Sequence, residues 1–142
     1  MRGKPDWVNE LEIEFADFFH VVEHNIVRPL PSEVIKKEPD YIIHAASIAS
    51  PIFYRKSPVE TMDANILGLR SLLDYAVARN LTSEPINGFL FFSSSEIYGN
   101  PDKKNIPTKE TYYGNVNSFG PRSCYDEGKR VGETLCYIYK NY

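Results

Sequence analysis

Residues 40–46, Asp-Tyr-Ile-Ile-His-Ala-Ala, form an apolar run in which hydrophobic and polar side chains do not alternate. Such a run predicts a strand that is covered on both faces, as the strands of a parallel sheet are. A second run of this kind, Gly-Phe-Leu-Phe-Phe-Ser, lies at residues 88–93. Because a helical pattern separates the two runs, the sequence predicts an α/β fold with parallel strands and helices on the sheet faces.

The helix between the two strands has a clear start signal. Ser57 is the predicted N-cap, Pro58 fits the first helical position, and Glu60 completes a capping box. Apolar residues then recur at intervals of three or four, which is the spacing of one helix face. Asn80 is the predicted end of this helix.

The remaining pattern is weaker, and residues 1–17 carry no assignable signal. The other predicted elements are a short strand at 18–22, a short helix at 33–37 capped by Ser32, loops at 47–56 and 99–122, and a long helix at 123–142.

Composition limits the class of protein. The chain has 142 residues, of which 42% are hydrophobic and 25% charged, so one globular domain is expected. A net charge of −3 gives no sign of a nucleic-acid partner. No apolar run approaches the roughly 20 residues that span a bilayer, and no signal peptide is evident. With two cysteines, a reduced, cytoplasmic setting is the expectation.

The strongest chemical signal is Tyr125-Asp-Glu-Gly-Lys129, which places a phenol and an ammonium on one face of the last helix. A free phenol is a poor base at neutral pH, but an adjacent ammonium favours the phenolate. The pair can therefore accept a proton and return it. The spacing alone also fits a solvated helix face.

A second signal follows the second strand, where Ser93, Ser94 and Ser95 precede Glu96. Ligands of parallel sheets bind beyond the carboxyl ends of the strands, and these side chains are predicted there. A hydroxyl could share a hydrogen bond with the phenol and a substrate alcohol, and the carboxylate could move a proton. Serine runs also form turns. No histidine or cysteine has the spacing of a metal site, so no metal is predicted.

Taken together, these motifs resemble the extended short-chain dehydrogenase/reductase family of nucleotide-sugar epimerases and dehydratases. His44-Ala45-Ala46, Asn65, Ser94 with Tyr98-Gly99, and Tyr125 with Lys129 carry the resemblance, in the family's order and spacing. Within the family, the strings at 95–99, 110–117 and 122–130 are most similar to those of UDP-glucuronate decarboxylases. The resemblance covers residues 18–142.

The resemblance implies a set of catalytic roles. Tyr125 takes the proton of the sugar 4-hydroxyl as hydride passes to NAD, and Lys129 holds the nicotinamide ribose and favours the phenolate. Ser94 hydrogen-bonds the reacting oxygen. Ser95 and Glu96 match a pair that assists the loss of carbon dioxide from the resulting 4-keto sugar acid, after which the reduced cofactor returns the hydride.

The resemblance also implies binding contacts and partners. Contacts to the cofactor, NAD, fall on Asn25, Ile26, Ala45, Ala46, Ser47, Ser93, Tyr125 and Lys129. Contacts to the substrate, a nucleotide sugar of the UDP type, fall on Leu30, Ser94, Tyr125 and Tyr139. Relatives form homodimers through a bundle that includes the helices at 58–79 and 123–142, so a homodimer is expected.

Several departures from the family pattern shape these expectations. The Gly-x-Gly-x-x-Gly phosphate loop is absent, so residues 1–142 are predicted to be the middle of a Rossmann domain. The first βαβ unit and the C-terminal substrate domain would be missing, and the isolated chain would have little activity. Asn25 stands where aspartate is usual. Decarboxylases carry basic and amide residues where the middle helix has Asp63, Ser71, Val77 and Ala78.

Three functions therefore stay open from sequence. The first is a nucleotide-sugar decarboxylase, and the second is another 4-epimerase or 4,6-dehydratase. The Ser95-Glu96 pair favours the first, because dehydratases usually carry Asp-Glu there. The third is an inactive remnant or a scaffold, which the missing phosphate loop favours.

Overall fold

The computed structural model describes residues 4–141. Within them lie α1 (Asp6–Glu14), α2 (Ser32–Ile35), β1 (Tyr41–His44), α3 (Pro51–Lys56), α4 (Pro58–Asp63), α5 (Leu69–Asn80), β2 (Gly88–Phe91) and α6 (Ser123–Lys140). A π-helical turn, Ala64–Gly68, joins α4 to α5, and 3₁₀ turns lie at Ser95–Tyr98 and Lys103–Asn105.

The two strands form a parallel pair, as predicted, with a register that runs from Tyr41 opposite Gly88 to His44 opposite Phe91. The prediction that both faces are covered is wrong for β1. Ile42 and His44 are buried, whereas Tyr41 on the other face is 68% exposed. The reason is that described helices pack against one face of this strand only, so its burial alternates.

Helices α4, α5 and α6 form the layer on the buried face. Leu69 and Leu73 of α5 are core residues. Glycines let α6 approach closely: a Cβ atom at Gly132 would lie 2.3 Å from the ring of Phe91. A Cβ atom at Gly128 would lie 3.3 Å from the side chain of Asn65. This close approach fixes the start of α6 beside the end of β2.

The predicted capping box at Ser57 is wrong. The Ser57 side chain caps nothing, and its backbone carbonyl instead accepts hydrogen bonds from the Thr61 amide at 3.1 Å and the Thr61 hydroxyl at 2.7 Å. Ser57 also ends α3, since its amide donates to the Phe53 carbonyl. The loop predicted over 47–56 thus contains a helix. The predicted end at Asn80 is confirmed.

The N-terminal third departs most from prediction. Residues 18–22 form no strand, and Phe18 is 88% exposed. The unassigned stretch instead contains α1, whose Glu12 accepts a hydrogen bond from the Val21 amide at 2.9 Å. Helix α2 begins at Ser32 itself, so Pro31 is the capping residue.

The long C-terminal helix is confirmed over Ser123–Lys140, and Tyr142 of its predicted range lies outside the described residues. Among residues 4–141, no helix combines the length and the apolar character needed to cross a membrane.

Candidate active site

Helix α6 brings Tyr125 and Lys129 to the carboxyl edge of the sheet. Lys129 is 2% exposed, and its Nζ donates a 2.6 Å hydrogen bond to the carbonyl of Phe92, just beyond β2. The same Nζ lies 4.8 Å from the centre of the Phe91 ring and 5.7 Å from that of Tyr125. Burial lowers the pKa of Lys129. The ammonium is therefore anchored beside the phenol at a fixed position.

The ring of Tyr125 is held on its other side by Tyr54 of α3. The two rings stack with their centres 5.4 Å apart and an angle of 11° between their planes. Both residues are buried. Because stacking restricts the tilt of a ring, Tyr54 fixes the plane in which the phenol oxygen of Tyr125 lies.

Ser94 and Glu96 lie in the same cavity as Tyr125. The cavity measures about 310 Å³. Ser94 precedes the 3₁₀ turn at Ser95–Tyr98, and its Oγ accepts a hydrogen bond from the Glu96 amide at 3.3 Å. The turn thus positions a hydroxyl and a carboxylate at the cavity, and α6 places the phenol of Tyr125 at the same cavity. That arrangement suits proton transfer to and from a bound alcohol.

The neighbouring serines point elsewhere. Ser93 donates a 2.6 Å hydrogen bond to Glu133 on the outer side of α6. Ser95 is exposed and does not line the cavity. The catalytic role predicted for Ser95 and the cofactor contact predicted for Ser93 stay predictions.

Two arginines line the cavity, and the sequence reasoning missed both as functional residues. Arg122 forms ion pairs with Glu96 and, at 3.5 Å, with Asp126. Arg55 extends from α3 and forms no ion pair with any residue of 4–141. Arg122 stands three residues before Tyr125, so helical spacing was a signal that could have found it.

The predicted cofactor residues Ala45, Ala46 and Ser47 follow β1 directly. Both alanines are exposed. Ser47 lines a second cavity of about 840 Å³, which shares Ala49 with the first. The Ser47 Oγ is buried and has no hydrogen-bond partner among the described residues. A buried hydroxyl without a partner beside open backbone suits the polar groups of a dinucleotide, so these residues fit the predicted NAD.

The other predicted binding residues lie away from both cavities. Asn25 accepts a hydrogen bond from the Val27 amide at 3.2 Å, and Ile26 packs against Gly68. Leu30 is half-buried in the loop before α2. Tyr139 donates to Asp74, and this bond raises its pKa. Their roles stay predictions.

Tyr139 is also at the far end of α6. Ten residues of helix beyond Lys129 correspond to about 15 Å. There it lines a different cavity together with Gly88, the first residue of β2. This position is at the opposite edge of the sheet from Ser94 and Glu96.

Two buried polar residues, His44 and Asn65, pack next to the elements that carry the site: His44 lies beside the Phe91 ring of β2, and Asn65 lies beside Gly128 of α6. Asn65 donates a 2.8 Å hydrogen bond to the Thr61 carbonyl within the helix that the π turn interrupts. Burial and then the charge of Lys129 lower the pKa of His44. The imidazole is therefore neutral at neutral pH, which avoids a second buried cation beside Lys129.

The fold and this site define the class. RMD from Pseudomonas aeruginosa, whose structure was solved with NADPH bound, matches 93% of this chain with a TM-score of 0.67 and 22% identity, over 44% of its own chain. The likeness shows a shared Rossmann-like α/β fold and confirms the predicted class. The model of the NAD dependent epimerase/dehydratase family matches residues 18–142. The chain belongs to that family, as its motifs predicted.

Within this family, the chain is similar in sequence to proteins named UDP-glucuronic acid decarboxylase. UDP-glucuronic acid decarboxylase 1 of Arabidopsis thaliana is 43% identical over 121 residues, which is 85% of this chain and 25% of that protein. The Danio rerio protein of the same name is 42% identical over 85% of this chain and 26% of its own length. For UDP-glucuronic acid decarboxylase 5 of Arabidopsis thaliana, the values are 43%, 85% and 32%. The chain spans about a quarter to a third of these relatives.

Proposed function

We propose that this chain carries the proton-transfer residues of an NAD-dependent enzyme that modifies nucleotide sugars, with UDP-glucuronate decarboxylation as its reaction. One observation carries the proposal. Tyr125, Ser94 and Glu96 line one cavity at the carboxyl edge of a parallel sheet, and Lys129 is anchored beside the phenol. The similarity to decarboxylases over 85% of the chain supports the choice of reaction.

In this proposal the residues act on the sugar 4-hydroxyl. Tyr125 accepts its proton, and Ser94 donates a hydrogen bond to the same oxygen. Lys129 lies 5.7 Å from the phenol ring and favours the anionic form of the phenol. NAD, when bound, would accept the hydride from the sugar carbon and return it after carbon dioxide is lost, so that the cofactor is regenerated. Ala45, Ala46, Ser47 and Lys129 would hold it.

In this proposal Glu96 and Arg55 assist the loss of the sugar carboxylate. The sugar carboxylate leaves as carbon dioxide because the ketone formed β to it accepts the electron pair of the broken carbon–carbon bond as an enolate. In this proposal Glu96, which lines the cavity, donates the proton that then returns to carbon. Arg55 lines the same cavity, has no ion-pair partner among residues 4–141, and can bind an anionic group of the substrate.

Replacing Tyr125 by phenylalanine tests this assignment. In the full protein that carries this chain, Tyr125→Phe should lower kcat for conversion of UDP-glucuronate to UDP-xylose by about 10²–10⁴-fold, because the proton acceptor is gone. Tyr137→Phe is the matched control, since Tyr137 lies on the same helix and is 74% exposed. Chromatography of the nucleotide sugars measures the product. Unchanged turnover in Tyr125→Phe would refute the role of Tyr125.

The same assay separates the alternative reactions. A 4-epimerase would form UDP-galacturonate and release no carbon dioxide, and a 4,6-dehydratase would act on a neutral hexose. Either product would keep the proton-transfer site and reject decarboxylation.

We also propose that residues 1–142 alone bind NAD weakly and turn over little, since their sequence contains no Gly-x-Gly-x-x-Gly loop. Calorimetric titration with NAD tests this, and submicromolar binding would contradict it.

We propose, further, that the protein forms a homodimer through α4, α5 and α6. Val59 of α4 is 66% exposed, and it lines a groove with Met62 and Cys124. Exposed apolar side chains at such a groove suit a second copy of the same surface. Analytical ultracentrifugation of the wild type and of Val59→Glu tests the proposal. A dimer that is unchanged by Val59→Glu would exclude this surface.

A further inference from the structure

We propose that Arg122 is a positioning residue that holds the Glu96 carboxylate in the substrate cavity and is itself anchored by Asp126. This inference rests on the proposed function, because it assigns the purpose of Arg122 through the role given to Glu96. It goes beyond the sequence pattern, in which neither Arg122 nor Asp126 received a role.

The geometry gives Arg122 two carboxylate partners on different elements. Its guanidinium forms an ion pair with Glu96, which lies in the 3₁₀ turn after β2. It forms a second ion pair with Asp126, one residue beyond Tyr125 on α6, at 3.5 Å. Because a guanidinium is a rigid planar fork, contact with both carboxylates fixes its direction. Arg122 therefore ties the turn that carries Glu96 to the helix that carries Tyr125.

The burial of the three side chains shows which partner is the anchor. The Asp126 side chain is 8% exposed, whereas that of Arg122 is 46% exposed and that of Glu96 is 35% exposed. A carboxylate packed in the helix interface has little room to move, while the cavity side of the pair can respond to a ligand. The chain of contacts thus runs from the rigid Asp126 through Arg122 to Glu96.

The charge of Arg122 also matters for an anionic substrate. A carboxylate that faced the cavity alone would repel a sugar nucleotide, which carries a diphosphate and, in the proposed reaction, a second carboxylate. Arg122 lines the same cavity, and its ion pair with Glu96 offsets the charge of that carboxylate. The Glu96 carboxylate can then stay in the cavity while an anionic substrate binds.

The ionised carboxylate of Asp126 lowers the stability of the folded protein, which is not expected of a residue with a purely structural role. Burial raises its pKa, and the nearby Arg122 offsets that effect only in part. Its ionised form therefore disfavours folding in this position, so Asp126→Asn should leave the protein as stable as the wild type or more so. A residue that does not stabilise the fold, yet directs the guanidinium at Glu96, fits a functional role.

The test compares Arg122→Gln, Arg122→Lys, Glu96→Gln and Asp126→Asn in the full protein. The absorbance of reduced nicotinamide in a single turnover reports the oxidation of the sugar, and formation of UDP-xylose reports the later steps, which include the return of the proton to carbon. We expect Arg122→Gln to keep the oxidation and to slow UDP-xylose formation by about 10²-fold, the effect of a small misplacement of Glu96, and Glu96→Gln to slow it at least as much because the proton donor is lost. The double variant Arg122→Gln/Glu96→Gln should form UDP-xylose no more slowly than Glu96→Gln alone, because Arg122 acts through Glu96.

Arg130→Gln is the control for a structural arginine on the same helix. Arg130 donates to the backbone carbonyls of Ile97 and Tyr113 at 2.8 and 2.9 Å. Its loss should lower the melting temperature and reduce both steps together. Arg122→Gln should instead separate the two steps, with the oxidation kept and the later steps slowed, even where the loss of its ion pair with Asp126 lowers the melting temperature. If it behaves like Arg130→Gln, or like the wild type, the positioning role is wrong.

Crystal structures of the wild type and of Arg122→Gln test the inference without any assay. We expect the Glu96 carboxylate to leave the cavity in the variant. A Glu96 that keeps its place there would overturn the proposal, whatever the substrate is. Conversely, a wild type without activity on UDP-glucuronate but with Glu96 displaced in Arg122→Gln would reject the proposed reaction and keep the positioning role.

Discussion

The helices before residue 40 and those after it differ in what holds them. Neither α1 nor α2 contains a buried residue, and Ile13 of α1 is 82% exposed. By contrast, Leu69 is fully buried, and so are the polar side chains of His44 and Asn65. In the region before residue 40, α1 is held by local contacts, such as the hydrogen bond from the Val21 amide to Glu12, and α2 is joined to α5 by the exposed hydrogen bond from the Tyr75 hydroxyl to the Ile35 carbonyl at 3.3 Å. The region after residue 40 is held by packing between distant parts of the chain.

This difference explains where the site lies. A buried lysine or histidine needs a rigid surrounding, because burial without partners costs several kcal/mol. Only the region after residue 40 provides such a surrounding among the described residues, and Tyr125 and Lys129 are both placed there. The buried core and the candidate active site therefore depend on the same helices. Substitutions in this core should change the free energy of unfolding more than substitutions before residue 40.

The largest effect is expected at the centre of the packed region. Leu69→Ala should lower the free energy of unfolding by about 2–5 kcal/mol, since it removes buried methyl groups and leaves a cavity. Ile13→Ala is the control, and it should change that free energy by less than about 0.5 kcal/mol. Urea unfolding followed by circular dichroism measures both. Equal losses would show that α1 is packed as firmly as α5.

A smaller effect is expected where α6 touches the sheet. Gly132→Ala would place a methyl group 2.3 Å from the ring of Phe91, so the helix or the ring must move. We expect a loss of about 1–3 kcal/mol from overpacking. At Gly120, in the loop before α6, the nearest atom is the amide nitrogen of Asn117 at 3.2 Å. A flexible side chain can yield, so Gly120→Ala should cost clearly less in the same unfolding assay.

How far the sequence predicted this molecule follows the same division. Both strands, the end of α5 and nearly all of α6 were predicted correctly, although only one face of β1 is buried and β2 contains no buried residue. The strand expected at 18–22 failed because its apolar residues have no sheet to join: Phe18 is exposed. A pattern shows that residues could be buried, but only the tertiary partner decides whether they are.

The site follows a similar rule. Tyr125 and Lys129 were found from helical spacing, which is a local property. Arg122 and Tyr54 were missed, because their importance arises from contacts across the chain: a stack between Tyr54 and Tyr125, and an ion pair between Arg122 and Glu96. Helical spacing places Arg122 near Tyr125, but no local pattern shows its contact with Glu96 or the stack between Tyr54 and Tyr125.

The pH dependence of stability should separate a packed histidine from a solvated one. The folded-state pKa of His44 is lowered below 6.5, so between these two values the unfolded chain binds more protons than the folded one. Stability should therefore be full above about pH 6.5 and fall as the pH drops towards the folded-state pKa, by at most about 1.4 kcal/mol per pH unit for one proton.

The measurement is the slope of the unfolding free energy between about pH 5 and 7. His44→Gln should flatten this slope, even if its stability at pH 7 is lower than that of the wild type. His20→Gln should leave the slope unchanged, since His20 is exposed in the region before residue 40. A wild-type slope that survives His44→Gln would assign the effect to other groups.

The smallest effect on the free energy of unfolding is expected from removal of the N-terminal part of the region before residue 40. Helix α1 buries no residue, and the family match begins only at residue 18, so deletion of residues 1–17 should change the unfolding free energy by less than about 0.5 kcal/mol. Ile26 is different, because it packs against Gly68 in the π turn. Ile26→Ala should cost about 1 kcal/mol as its half-buried side chain is truncated. If the deletion costs more than Ile26→Ala, α1 stabilises the packed region, and the contrast between the two regions is one of burial but not of stability.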